Sequence, residues 1–399
     1  MRCSMAGGTS SIRRHPSQSD CPILPCRRSD LATPKSKLWK LEKHTEGKHL
    51  VLRGYLDAWL PILGLHGGRI LFLDGFAGPG EYAGGELGSP IIALEAYLDH
   101  AAQKQMKAQV VFLFVEGDKK RFEHLEALVE AKRPKLPEKC KVNVVHGIFD
   151  DHMASLFKYL DKNEKQMAPA FVMVDPFGVK GTPMSAIEGV LKNPRCEVYV
   201  SFMYEAINRW KNAPEFEPHL DALFGTTEWR DGRGIDNAGE RKAFFYALFE
   251  KQLRSGGAKH VIRFELYNGN RLVYAIFFAT KNLVGADRMK YAIWRAAPGG
   301  AFEFRGGNGA QLELGMESPS FEPLKAALLE KLAGKGLVGI GKVLDFVSSD
   351  ATDYHRNQVK KNALVPLEQA GLLEADESTR KRKRTYPDGT KVRFLSAPK

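Results

Sequence analysis

Cysteine is scarce in this sequence, and no two cysteines are closely paired. Cys3, Cys21, Cys26, Cys140 and Cys196 show no Cys-x-x-Cys spacing, which argues against a zinc or redox motif and against a disulfide framework. Long apolar runs are also missing: none approaches the roughly 18 residues that a membrane-spanning helix needs. The first residues carry no continuous apolar core of a secretory signal, so the expectation is a cytoplasmic protein with no membrane partner. Acid is in deficit, with 59 Lys and Arg against 47 Asp and Glu and a formal net charge of +12. That balance favours polyanionic partners, nucleic acid before a membrane surface. What remains is ordinary: 43% hydrophobic and 27% charged residues over 399 positions allow two domains and a sizeable core.

The most informative stretch is residues 69–80, RILFLDGFAGPG. Its apolar run, Ile70-Leu71-Phe72-Leu73, suits a strand buried on both faces. The run ends on Asp74, and Gly75, Gly78 and Gly80 follow. Residues without a Cβ let backbone approach a ligand, and open α/β sheets bind ligands just beyond the carboxyl ends of their strands. Residues 78–83 fit the dinucleotide pattern G-x-G-x-x-G/A in letters only. The helix signal comes later, at Ser89-Pro90, an N-cap and a first-turn proline, so no helix N-terminus faces a pyrophosphate. The next acidic strand end, Glu116, lies well beyond the usual spacing of about 20 residues. An acid placed directly before the glycines instead resembles the first motif of S-adenosylmethionine (SAM) methyltransferases. Their ligand carries an ammonium and a sulfonium and no phosphate. Asp74, Gly75, Phe76, Gly78 and Gly80 are therefore candidates for its methionine end.

Further α/β units follow. Leu52, Tyr55, Leu56, Trp59 and Leu63 predict a helix over 48–63 that Pro61 should end or kink, and a second helix is expected over 90–106. The strand at 110–115 closes on Glu116, a two-oxygen acceptor suited to ribose hydroxyls, with Asp118 as the alternative. After the strand at 141–145, the same resemblance to methyltransferases makes Asp150 a candidate for the adenine amino group. Phe149 goes either against the adenine ring or into the core, and His146 reads as structural. The strand at 170–174 runs into Asp175-Pro176-Phe177-Gly178. Amino-group methyltransferases of nucleic acids carry Asp, Asn or Ser here, then Pro-Pro and an aromatic. The polar side chain and a backbone carbonyl hold the target amine, and the aromatic stacks on a base that has left its helix stack. In this chain the second proline is absent and Phe177 moves up one place, and a plain Asp-Pro turn would look the same. Beyond the strand at 197–202, Arg209 is either a phosphate clamp or the partner of a local acid. Residues 212–240 read as an irregular, partly helical excursion that could serve as a substrate lid. Segments 261–267 and 272–280 flank Asn268-Gly269-Asn270, a hairpin signal. An antiparallel hairpin after five α/β units is the usual finish of a methyltransferase sheet.

The flanks differ from this body. Residues 1–36, rich in Ser, Pro and Arg, read as a disordered leader ahead of an α/β domain at 37–297. A Gly-rich linker is expected over 298–318, then a basic module over 319–399. In that module, helices at 321–332, 342–347 and from Thr352 past Pro366 to Gly371 precede a basic run at 380–384 and a strand at 391–395. This order suggests a winged helix. Its third helix would show His355, Arg356, Lys360 and Lys361 to solvent, and its wing would bring Arg382 and Arg384 to phosphates. A solvated basic tail on a protein-docking module is the alternative.

Several segments together (Tyr55-Leu56 with Trp59, residues 74–82, Gly88-Ser89-Pro90, residues 114–118, residues 175–178 and Asn208-Arg209) resemble the three-Cys-motif partner proteins of bacteria, over residues 37–395. The resemblance implies a methyltransferase-like, Rossmann-type α/β sheet. It also implies association with a protein that carries a three-cysteine motif and resembles radical-SAM enzymes. The expected activity is SAM-dependent methyl transfer to an exocyclic amine of nucleic acid, with Asp175, Pro176 and Phe177 presenting the amine. The alternative is a catalytically weak or inactive binding module that docks its partner onto nucleic acid. A nicotinamide oxidoreductase ranks last.

Overall fold

The apolar runs form a mixed sheet in a computed structural model that describes residues 36–268, 271–296, 303–305 and 320–395. The expected leader up to residue 35, most of the expected linker and the hairpin tip Gly269-Asn270 lie outside the described residues. The strands are β1 (Arg69–Asp74), β2 (Gln109–Glu116), β3 (Cys140–His146), β4 (Ala170–Val174), β5 (Cys196–Phe202), β6 (His260–Asn268), β7 (Arg271–Thr280) and β8 (Glu303–Arg305). They lie in the order β3-β2-β1-β4-β5-β7-β6-β8. The first five run parallel, while β7 is antiparallel to both β5 and β6. Every residue of β4 and β5 is buried, as central strands covered on both faces must be. The strand order reverses between β1 and β4, which places a crevice at their carboxyl ends. β8 was not expected. It pairs parallel to β6, inside the stretch expected to be a structureless linker.

The helices of this part are α1 (Lys43–Gly64), α2 (Ser89–Leu98), α3 (Lys119–Lys132), α4 (Phe149–Lys162), α5 (Met184–Lys192), α6 (Tyr204–Trp210), α7 (Glu217–Phe224), α8 (Ala238–Ser255) and α9 (Leu283–Ala296). One layer packs α1 against α2 and α9, and the other packs α5 against α4, α7 and α8. α2 stops at Leu98, earlier than expected. α1 continues through Pro61 to Gly64, so the proline does not end it. Proline lacks the N–H that would serve the Asp57 carbonyl one turn back. His100 serves it instead: Nε2 lies 3.0 Å from Asp57 O, and Nδ1 accepts from Ala102 N, so the proton sits on Nε2. Removing that donor in His100→Ala is expected to lower stability by about 1–2 kcal/mol, read as a lower urea midpoint at unchanged slope.

The C-terminal part has its own core around Leu324, Leu328, Val343, Leu364 and Val392. It comprises α10 (Glu322–Leu332), α11 (Ile340–Ser348), α12 (Arg356–Val359) and α13 (Val365–Gln369), with strands β9 (Val338–Gly339), β10 (Leu373–Ala375) and β11 (Lys391–Phe394) in the order β10-β11-β9. A π-helical turn, Lys360–Leu364, sits just ahead of Pro366, where regular bonding fails. The third helix begins at Arg356 and not at Thr352, because the preceding loop is engaged elsewhere. Lys290 on α9 donates to the carbonyls of Val347, Ser349 and Thr352, and Asp287 accepts from Ser348 Oγ and Arg356 N. Trp294 of α9 belongs to the C-terminal core, so α9 joins the two parts. His355, expected at the surface, is buried at the head of α12. Among the described residues, no helix is long and apolar enough to cross a membrane.

Candidate cofactor and substrate site

β1, β2 and β3 are each followed by a glycine: Gly75, Gly117 and Gly147. All three line a cavity of about 610 Å³ at the carboxyl edge of the sheet. A side chain at Gly75 has no room, because a Cβ there would lie 2.4 Å from the Phe149 ring. Bare backbone is therefore obligatory at that wall. Glu116, at the end of β2, lines the same cavity. Its Oε2 accepts from Gly78 N at 2.8 Å and its Oε1 from Asp118 N at 2.8 Å. Each oxygen keeps a further lone pair for a ligand hydroxyl. Arg121, 6% exposed, stands 3.9 Å from Glu116 and also lines the cavity. The lining continues through Phe177, over whose ring the Arg121 guanidinium sits at 6.0 Å, and through Val179, Lys180, Ala206, Trp210 and Phe216.

Gly75, Phe76, Glu116 and Phe177 of the expected site residues lie on this cavity. The others do not line it. Asp74 is fully buried and accepts from Ser89 Oγ at 2.6 Å and from Phe76 N at 3.1 Å. Ser89 thus serves Asp74, and it is not the N-cap, which is Gly88. Gly78, in the left-handed region at φ 64°, gives its N–H to Glu116 and lies beneath Trp39. Gly80 packs toward Leu125 and Ile91. Phe149 is 1% exposed and sits in the core between Gly75 and Phe76, while its neighbour Ile148, 55% exposed, faces the cavity. Asp150 lies in the first turn of α4 outside the lining, whereas Asp118, the alternative to Glu116, does line the cavity and also caps α3 through Lys120 N and Arg121 N.

Asp175 and Pro176 lie behind Phe177. The Asp175 side chain keeps 22% exposure and its Oδ2 pairs with Lys48 of α1. Lys48 is buried, with Nζ 5.4 Å from the centre of the Tyr274 ring. Burial pulls the Lys48 ammonium down, but Asp175 beside it outweighs that and holds the proton well above the usual range. The adjacent His49 is pushed down to about 3 by burial and by Lys48, so it stays neutral and makes a poor base. Lys48, Ile148, Arg121, Lys180, Trp210 and Phe216 belong to no motif in the sequence. Only the exposed apolar character of Ile148 at a strand end could have signalled one of them.

Of the basic residues expected to meet nucleic acid, Arg209, Arg356, Lys361, Arg382 and Arg384 are exposed, and Lys360 is half-buried. Among the described residues Arg209 makes no ion pair. Arg380 leaves the expected basic run: its side chain is buried and held by Glu368 and Glu377. Cys140 and Cys196 are buried, and among the described residues no group of His, Cys, Asp and Glu is placed to hold a metal ion.

Burial pushes the Asp74 carboxyl up from the ordinary 3.8 to about 6, against the pull of Ser89 and the Phe76 N–H. The unfolded chain therefore releases this proton first as pH rises. The stability Asp74 contributes is complete below pH 3.8 and lost on passing pH 6. Asn can keep both hydrogen bonds, so Asp74→Asn is expected to lack this slope. Thermal melts of the two proteins across that window should diverge, with the variant gaining relative to wild type toward neutrality.

No protein-family model matches the chain, and no curated protein does. Among solved structures the chain is similar to Trm1 from Pyrococcus horikoshii with S-adenosyl-L-methionine, at 12% identity and a TM-score of 0.35, over 64% of this chain and 61% of that one. It is also similar to the O-methyltransferase from Bacillus cereus in complex with SAH, at 10% identity and a TM-score of 0.31, over 61% of this chain and 92% of that one. The METTL16 methyltransferase domain matches at 14% identity and a TM-score of 0.28, over 58% of this chain and 66% of that one.

Proposed function

We propose that the chain is a cytoplasmic SAM-dependent methyltransferase acting on an exocyclic amine of nucleic acid, with a winged-helix-like module that holds the phosphate backbone. The observation that carries this reading is the cavity at the β1/β4 switch point. Its lining joins bare backbone at successive strand ends and Glu116 to Phe177, with Asp175 two residues earlier in the chain and just outside the lining. SAM supplies an electrophilic methyl group when bound. Glu116 would accept the ribose hydroxyls on its free lone pairs, and Phe76 and Ile148 would flank the adenine. Gly75 leaves room for the methionine end. Phe177 would stack on the target base, and the exposed part of Asp175, just outside the lining, would accept an N–H of the amine at the edge of the cavity. A neutral amine needs placement more than a strong base, in keeping with a neutral, buried His49. Cytosine C5 chemistry would need a thiol nucleophile, and both described cysteines are buried away from this wall.

A specific observation favours a second reading. Lys48 already pairs with Asp175, as a target amine would. A carboxylate so occupied suits a weak or inactive SAM-fold module that docks a three-Cys-motif, radical-SAM-like partner onto nucleic acid. Calorimetry with SAM tests the cofactor in both readings, and a flat titration rejects it. Labelled SAM with mixed DNA and RNA then separates them: transfer of label supports the enzyme, and SAM binding without transfer supports the module.

A further inference from the structure

We propose that Trp210, Phe216 and Lys180 form a receiving site for one unstacked base of single-stranded nucleic acid and its phosphate. The proposal deepens the function given above and rests on it for the identity of the reacting partner. Trp210 and Phe216 come from different elements, the end of α6 and a 3-10 turn, Pro214–Phe216. Their rings lie parallel, 8° apart in plane, with centroids separated by 4.5 Å. Both line the same cavity as Phe177, a residue that is 36% exposed. Two aromatic surfaces thus border one space, an arrangement that suits a planar heterocycle and tolerates any base. Lys180, exposed at the same wall, has its Nζ 5.3 Å from the centre of the Phe216 ring. An exposed ring contact of that kind is weak, so the ammonium can turn to a phosphate.

The wall is braced. The segment expected to be an irregular, partly helical lid has its helical parts in α7 and in a 3-10 stretch, Glu228–Gly234. Arg230 bonds Asp221 at 2.7 Å and Glu217 at 2.9 Å, and Arg233 bonds Glu217 at 2.6 Å. Arg233 Nε also bonds Lys211 O at 2.6 Å, which ties the segment back to the end of α6. Trp229, fully buried, anchors it further through Nε1 to Asp221. The bracing fixes Phe216 against Trp210, and it commits Glu217 and Asp221 to arginines, so their charge is not free to repel a phosphate.

The test uses the full chain and three fluorescent probes of about 12 nucleotides, a length within the reach of such sites. The probes are an intact single strand, a single strand of the same length without bases, and a duplex. Wild type is expected to bind the intact strand at least tenfold tighter than the other two. Phe216→Leu should weaken the intact strand by about tenfold to a hundredfold and close its gap to the abasic strand, since stacking is lost. Lys180→Gln should weaken intact and abasic strands alike and reduce the slope of log affinity against log salt by about 0.7. Equal binding of intact and abasic strands by wild type overturns the proposal, because the basic C-terminal module then explains the affinity. Preference for the duplex, or an unchanged Phe216→Leu, does so too. A thermal melt of Phe216→Leu that keeps the cooperative transition of wild type shows that the variant is folded. If wild type shows base-dependent binding but no SAM uptake, the cofactor reading falls and this site stands. If SAM binds without any preference for bases, this site falls and the cofactor reading stands.

Discussion

Lys48→Met and Asp175→Ala, combined, are expected to recover most of the stability that Asp175→Ala removes alone, while methyl transfer stays lost. Asp175→Ala strands the Lys48 ammonium, whose side chain is 6% exposed, without its countercharge. Breaking a buried pair from one side costs about 3–5 kcal/mol. Lys48→Met should cost less, since the Asp175 side chain keeps 22% exposure and can be solvated. In the double variant no charge remains to be stranded, and the thioether fills the space under Tyr274. Replacing a buried pair by apolar groups is often close to neutral. Chemical denaturation of the four proteins gives the coupling energy directly. Transfer should behave differently. A target amine that has lost its acceptor sits out of line with the donor, and misplacement of about 1 Å costs about a hundredfold in rate. Both variants that carry Asp175→Ala should therefore stay about a hundredfold or more below wild type, whatever their stability. A double variant that transfers label at the wild-type rate would remove Asp175 from the reaction. It would leave the pair as a strut between α1 and the end of β4.

That pair also shows where the sequence stops being legible. The succession of the first seven strands along the chain, the antiparallel pairing of β6 with β7 and the glycine-bearing end of β1 all follow from local signals: unbroken apolar runs, Asn-Gly, and acids at strand ends. Glu116 is found the same way, since a strand of known direction brings its last residue to the crevice. Lys48 cannot be found so, because it sits in a helix with no motif and meets a residue 127 positions away. His100 beneath Pro61 has the same character. A local rule predicts a broken helix, and a distant imidazole removes the reason for the break. Phe149 and Ile148 fail for a subtler cause. Both are apolar and adjacent, and which one faces the cavity depends on where α4 starts, to within one residue. Boundaries of that precision come from caps, and α4 has no capping side chain. The excursion after β5 reads as only partly helical because much of its order comes from Arg230 and Arg233 reaching acids on α7, which spacing along the chain does not reveal.

Gly75→Ala is expected to damage stability and cofactor binding together, and Gly78→Ala stability alone. At Gly75 the added methyl would sit 2.4 Å from Phe149 Cδ2 and 2.9 Å from Cγ, so something must move. Phe149 is 1% exposed, and its ring centre is 5.8 Å from that of Phe76 on the cavity wall. Pushing Phe149 therefore pushes Phe76. Overpacking of this kind costs about 1–3 kcal/mol, and the same displacement narrows the cavity where the cofactor would lie. At Gly78 the obstacle is conformational: φ is 64°, and the nearest atom to a Cβ, on Trp39, is 3.7 Å away. A left-handed alanine costs about 1–2 kcal/mol and needs no movement of the wall. Equal losses of melting temperature should thus come with unequal losses of SAM affinity, at least tenfold for Gly75→Ala and little for Gly78→Ala. Phe149→Leu added to Gly75→Ala should return part of both, because the smaller side chain yields the space the methyl takes. Should Gly78→Ala abolish SAM binding while Gly75→Ala spares it, the ligand would lie over the tip of the glycine turn, under Trp39, and the cavity beside Glu116 would not be its seat.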